Sequence, residues 1–82
     1  MKVLKFYADW CQPCKMLSRV IDDAETGDVQ FENVDIDQNM EMAKQFSIRG
    51  VPTLVLVDEE GNEVRRQSGM MAEDKLLEFL KG

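Results

Sequence analysis

Two cysteines, Cys11 and Cys14, stand two residues apart where an apolar run passes into a helical stripe. Val3-Leu4-Lys5-Phe6-Tyr7 is short and mostly apolar, the pattern of a strand covered on both faces and interrupted only by Lys5. From Cys14 to Ala24 the spacing turns helical, with Leu17, Val20, Ile21 and Ala24 on one stripe. The junction therefore puts Cys11 at a helix N-terminus, where unpaired N–H groups and the helix dipole favour a negative charge. That environment lowers a thiol pKa and raises its thiolate fraction. Cys14 falls a turn further in and is expected to be the more shielded. Pro13 is tolerated because first-turn N–H groups have no intrahelical partner.

The pair is a poor structural staple. Its loop is tiny, so closing it removes little entropy from the unfolded chain, and a secreted disulfide scaffold carries more cysteines at wider spacing. A zinc site wants four Cys or His ligands. With two cysteines and no histidine, the chain would need a second copy or carboxylates to complete one. Two inert core cysteines are the other plain reading. The chemistry that suits the spacing is thiol–disulfide exchange: Cys11 attacks a substrate disulfide, and Cys14 then attacks Cys11 and releases the reduced substrate.

The remaining pattern orders the fold. Thr26-Gly27-Asp28 breaks the helix, and Val29 to Ile36 reads as a second strand. Asn39 is placed to cap a short helix carrying Met42, Ala43 and Phe46. Ser47 to Val51 reads as a loop into Pro52. Thr53-Leu54-Val55-Leu56-Val57 is the clearest strand; Asp58 to Asn62 turns it into a hairpin with Glu63 to Gln67. After Gly69 a closing helix carries Leu76, Leu77, Phe79 and Leu80. The order β-α-β-α-β-β-α predicts an α/β fold, a four-stranded mixed sheet flanked by helices. Its 82 residues fit one domain, 1–82, which buries roughly 60–65% of the unfolded chain's surface.

Charge limits the partners. A net charge of −6 and the absence of clustered Lys and Arg argue against a nucleic-acid groove and against anionic membranes. No stretch approaches the ~18 apolar residues of a membrane span, and the first residues lack the apolar block of a signal peptide. The chain reads as cytoplasmic. Of the methionines, Met16, Met40 and Met42 are expected to fill the core, and Met70 and Met71 to form surface contacts.

With these elements in place, Phe6-Tyr7-Ala8-Asp9-Trp10-Cys11-Gln12-Pro13-Cys14-Lys15-Met16 resembles the active-site signature of thioredoxins. Val34-Asp35-Ile36-Asp37-Gln38-Asn39 and Phe46-Ser47-Ile48-Arg49-Gly50-Val51-Pro52-Thr53-Leu54 resemble further family motifs, as do Gly61-Asn62 and Gly69. The likeness runs over the whole chain. It implies a minimal thioredoxin fold with Cys11 as nucleophile and Cys14 as resolving cysteine. It also implies a cis Val51-Pro52 bond facing the cysteines, against a trans proline opening an edge strand. Trp10, Gln12, Pro13, Gly50, Val51, Pro52, Gly69 and Met70 become candidate substrate-binding residues. The expected partners are disulfide-containing proteins and a thioredoxin-reductase-like flavoenzyme, NADPH-linked, supplying electrons to a monomer that binds no cofactor itself.

Three departures stand out. The usual thioredoxin has a further strand and helix before the strand leading to the cysteines; here that strand starts at residue 2 or 3, as in the shorter glutaredoxins. Gln12 replaces the usual Gly. Lys5 stands where the family carries a buried Asp that serves the second cysteine, and Asn33 where a lysine is often found near it. Lys5 either points under Cys14 as a proton-transfer modulator or snorkels out at the end of the sheet.

Two other functions compete. A glutaredoxin-like enzyme would use glutathione, although Gly69-Met70-Met71 does not match that pattern. A thioredoxin-like binding subunit would work without its cysteines.

Overall fold

The computed structural model describes residues 1–81. Seven elements appear in the expected order: β1 (Lys2–Tyr7), α1 (Gln12–Asp23), β2 (Gln30–Asp35), α2 (Met40–Gln45), β3 (Thr53–Val57), β4 (Glu63–Ser68) and α3 (Glu73–Lys81). The sheet order is β2-β1-β3-β4. β1 runs parallel to β2 and antiparallel to β3, and β3 and β4 form the antiparallel hairpin. This is the four-stranded mixed α/β sheet that the hydrophobic pattern predicts.

Side chains alternate across the sheet, so each central strand feeds two cores. Val3, Leu54 and Leu56 meet Leu17 of α1 and Leu76 and Phe79 of α3. Leu4, Phe6, Val55 and Val57 meet Met42 and Phe46, with the Phe6 and Phe46 rings 5.7 Å apart. Each fully buried Leu or Phe contributes about 1.5–3 kcal/mol.

The ends of the elements follow local chemistry. Asn39 caps α2, its Oδ1 accepting from the Met42 N–H. Asp58 Oδ1 accepts from the N–H groups of Glu60 and Asn62 and closes the hairpin turn, with Gly61 at φ 86°. α2 ends on Ser47 at φ 53°, a left-handed conformation more often taken by glycine at this position.

The edge strand β4 uses two adjacent arginines on opposite faces. Arg65 Nε donates to the Phe79 carbonyl at 2.6 Å and its Nη2 to that of Leu80 at 3.2 Å. Arg66 Nη2 donates to the Phe46 carbonyl at 2.6 Å, and Glu63 holds the same guanidinium. Each arginine thus satisfies carbonyls at a helix C-terminus, which the helix dipole favours.

The methionine assignments need correction. Met16 and Met40 are exposed, on the outward sides of α1 and α2, whereas Met71 is 6% exposed and belongs to the α1/α3 core. Helical spacing leaves two candidate faces for Met16 and Met40, and Met71 lies in the connection before α3; long-range packing decides all three. Met42 packs inward and Met70 is exposed, both as expected.

Candidate functional site

Cys11 occupies the N-cap of α1. Its backbone is extended (φ −92°, ψ 106°), and its Sγ accepts the Cys14 N–H at 3.2 Å, the place a Ser or Asp oxygen takes in an ordinary cap. Gln12 and Pro13 form the first turn, and no acidic side chain lies there to oppose a negative sulfur. The two cysteines are joined as a disulfide with Cα atoms 5.3 Å apart. The expected difference in shielding is slight: Cys11 is 4% exposed and Cys14 2%. Both pack with Ala8 against Tyr7, Ile36 and Val51, so side chains from the end of β1, the residue after β2 and the loop before β3 cover the sulfurs.

That loop is tied from both sides. The Val51-Pro52 bond is cis, as the resemblance implies. Thr53 Oγ1 donates to the Gly50 carbonyl at 2.8 Å, and the Gly69 N–H donates to the Pro52 carbonyl at 2.8 Å. Gly69 takes φ 88°, a conformation that favours glycine, and so turns β4 toward Met70 and α3. These bonds join Gly50, Val51, Pro52 and Gly69 into one unit, and Val51 touches the cysteine cluster.

Trp10 is 69% exposed, and its Nε1 donates to Asp37 Oδ2 at 3.0 Å. The main chain brings Asp37 there: the Ile36 N–H donates to the Tyr7 carbonyl, and Asp35 Oδ1 accepts the Asp37 N–H. Ile36 and Asp37 were visible as part of a family-like run, but no local pattern tied them to the cysteines.

Lys5 does not snorkel out. It is 6% exposed, its Nζ donates to Ser18 Oγ, and it borders a cavity of about 220 Å³ together with Cys14, Ser18 and Asn33. Burial pushes the Lys5 pKa down from its ordinary value, and the Asp22 carboxylate partly offsets this. Ser18 lies four residues after Cys14 on the same helix face, but its tie to Lys5 joins residues 13 apart.

Among the described residues, no three or more Cys, Asp or Glu side chains gather as metal ligands. Among the same residues, no helix is long and apolar enough to cross a membrane.

Known proteins resemble this arrangement. The sequence matches the family model described as Thioredoxin over residues 1–82. It is 39% identical over 80 residues to a thioredoxin of Chlamydia trachomatis, covering 95% of this chain and 78% of that protein. It is 37% identical over 83 residues to the SPbeta prophage-derived thioredoxin-like protein YosR of Bacillus subtilis, covering 99% of this chain and 100% of that one. Among solved structures, a variant thioredoxin from Halobacterium salinarum superposes with a TM-score of 0.87 at 40% identity, covering 98% of this chain and 71% of the other.

Proposed function

The chain belongs to the thioredoxin family and is a thiol–disulfide oxidoreductase, and from that premise we propose that it reduces protein disulfides by dithiol exchange. The observation that carries this reading is the use of Cys11 Sγ as the cap of α1. After reduction of the bridge, the N–H that points at this sulfur favours its thiolate. Cys11 attacks the substrate disulfide and forms a mixed disulfide. Cys14 attacks Cys11, and the substrate leaves as a thiol.

Trp10, Gln12 and Pro13 flank the nucleophile on one side, and Gly50, Val51, Pro52, Gly69 and Met70 on the other. Together they form the substrate groove, and the loop before β3 offers backbone groups to a substrate chain. The enzyme acts as a monomeric domain in the cytoplasm. Electrons come from an NADPH-linked flavoenzyme of the thioredoxin-reductase type.

The test is turnover of a protein disulfide with dithiothreitol as donor. Cys11→Ser is expected to reduce the rate to that of the uncatalysed reaction, and Cys14→Ser to accumulate a stable mixed disulfide on Cys11. A reduction potential near about −270 mV supports this reading, whereas about −200 mV with efficient reduction by glutathione would replace it with a glutaredoxin-like role. Unchanged activity with both cysteines replaced would leave only a binding function.

A further inference from the structure

On β1, Lys5 lies between Asn33 of β2 and Leu54 of β3, so its position in the sheet is one that hydrocarbon normally fills. Its ammonium donates to Ser18 Oγ, and that hydroxyl donates to the Cys14 carbonyl oxygen at 3.1 Å. Lys5, Ser18 and Cys14 share the cleft of about 220 Å³. Lys5 and Ser18 also border an adjoining cleft of about 200 Å³, where Asp22 lies. Each space has room for several water molecules, and each has polar walls to hold them. A buried lysine bonded to a neutral hydroxyl recovers little of its desolvation cost. The fold nevertheless sets the Lys5 side chain in the cleft that Cys14 lines and anchors it to the helix that carries Cys14.

We propose that Lys5, anchored by Ser18, is a positioning residue for the resolving half of the reaction: its ammonium stabilises the Cys14 thiolate across the shared cleft. The inference rests on the dithiol-exchange reading. In the mixed disulfide, the Cys14 thiol loses its proton through cleft water to bulk solvent. The thiolate attacks Cys11 Sγ, the Cys11–Cys14 bond forms, and the bond from Cys11 to the substrate sulfur breaks. That sulfur leaves with the electron pair and takes a proton from water. Lys5 keeps its proton throughout. Of the other groups around the ammonium, Tyr7, Asp9 and Lys15 border the same cleft and Asp22 the adjoining one, while Asn33 and Leu54 bring no charge.

The effect has a definite size. Removing a nearby opposite charge raises a thiol pKa by about one unit. At neutral pH this lowers the thiolate fraction about tenfold, and the higher intrinsic nucleophilicity returns about threefold, which leaves the step roughly threefold slower.

The experiment uses the reduced full chain and a chromogenic aromatic disulfide. Attack by Cys11 releases the first coloured thiolate, and attack by Cys14 releases the second. In Lys5→Met the second phase is expected to slow about threefold while the first holds, and carbon NMR of the Cys14 Cβ is expected to show the pKa rise of about one unit. Lys5→Arg restores both readouts. Ser18→Ala keeps the charge but loosens it, and shifts both in the same direction by less. It also carries the test alone if Lys5→Met does not fold. Unchanged Cys14 pKa and second phase in these variants, with two phases intact in the parent chain, overturn the role of Lys5. Release of only one coloured thiolate per parent chain overturns the exchange reading, and the inference with it.

Discussion

On the α2 side of the sheet the buried positions of the two central strands are hydrocarbon apart from Thr53 at the cysteine end: Leu4 and Phe6 from β1, Val55 and Val57 from β3. On the α1/α3 side Val3, Leu54 and Leu56 begin the same way, but Lys5 follows Val3 and opens two polar clefts toward Cys14 and Asp22. One face is packed almost wholly with hydrocarbon. The other is well packed under α3 and opens to solvent at the end where the cysteines lie. Close packing stabilises the fold, whereas thiol–disulfide exchange needs water, charge and access near sulfur. The two requirements are met on different parts of one small sheet, and the boundary between them passes through a single strand at Lys5.

The largest expected effect is on the hydrocarbon face. Phe6→Ala removes a ring packed against Phe46 and is expected to cost about 3–5 kcal/mol, read by chemical denaturation. A cost below that of an average surface substitution would mean that this face is not closely packed.

Lys5→Met tests the open face with the opposite sign. It removes a desolvated charge and is expected to stabilise the fold by about 1 kcal/mol at neutral pH. The gain depends on pH in a defined direction. Because the folded Lys5 pKa is lowered from 10.5, the unfolded chain binds more protons between the two values. The parent chain therefore gains stability as pH rises through that window, and the advantage of Lys5→Met shrinks. A constant difference across alkaline pH would show that the ammonium is not desolvated.

The β4 arginines compare the faces at their rims. Arg65→Ala uncaps α3 and is expected to cost about 1 kcal/mol. Arg66→Ala, at a more exposed site, is expected to cost less. Part of that smaller cost is electrostatic: Arg66 holds the Glu63 carboxyl below its usual range by hydrogen bonding. This contribution is present above the ordinary carboxylate pKa and fades as pH falls through the lowered one. Equal and pH-independent costs would remove the distinction between the two arginines.

The smallest effect is at the end of α2, where Ser47→Gly relieves a left-handed residue. It is expected to raise stability by roughly 0.5–1 kcal/mol in thermal or chemical melts. No gain would mean that the serine side chain compensates in place.

Much of the fold is legible in the sequence because its signals are short-range. The Thr53–Val57 strand, the Asn39 cap, the Asp58–Asn62 turn and the placement of Cys11 at a helix start all depend on residues within about one helical turn or hairpin loop. Strand ends moved by a residue or so, as frayed boundaries do. The cysteines were legible for the same reason, whereas Ile36, Asp37 and Ser18 were not. Their partners lie far along the chain: Trp10 meets Asp37 across 27 residues, and Lys5 meets Ser18 across 13.

Local chemistry sets the order of elements, the two-residue spacing of the sulfurs at a helix N-terminus and the alternation that gives each strand two faces. These follow from backbone geometry and near neighbours. Long-range packing settles that Met71 is core while Met16 and Met40 are not, that Arg65 and Arg66 cap helices on opposite faces, and that the Lys5 ammonium is held by Ser18 in the cleft lined by Cys14. In each case the local pattern allowed two outcomes. The choice depended on which distant side chain filled the space or accepted the hydrogen bond, and only the packed sheet and helices determine that.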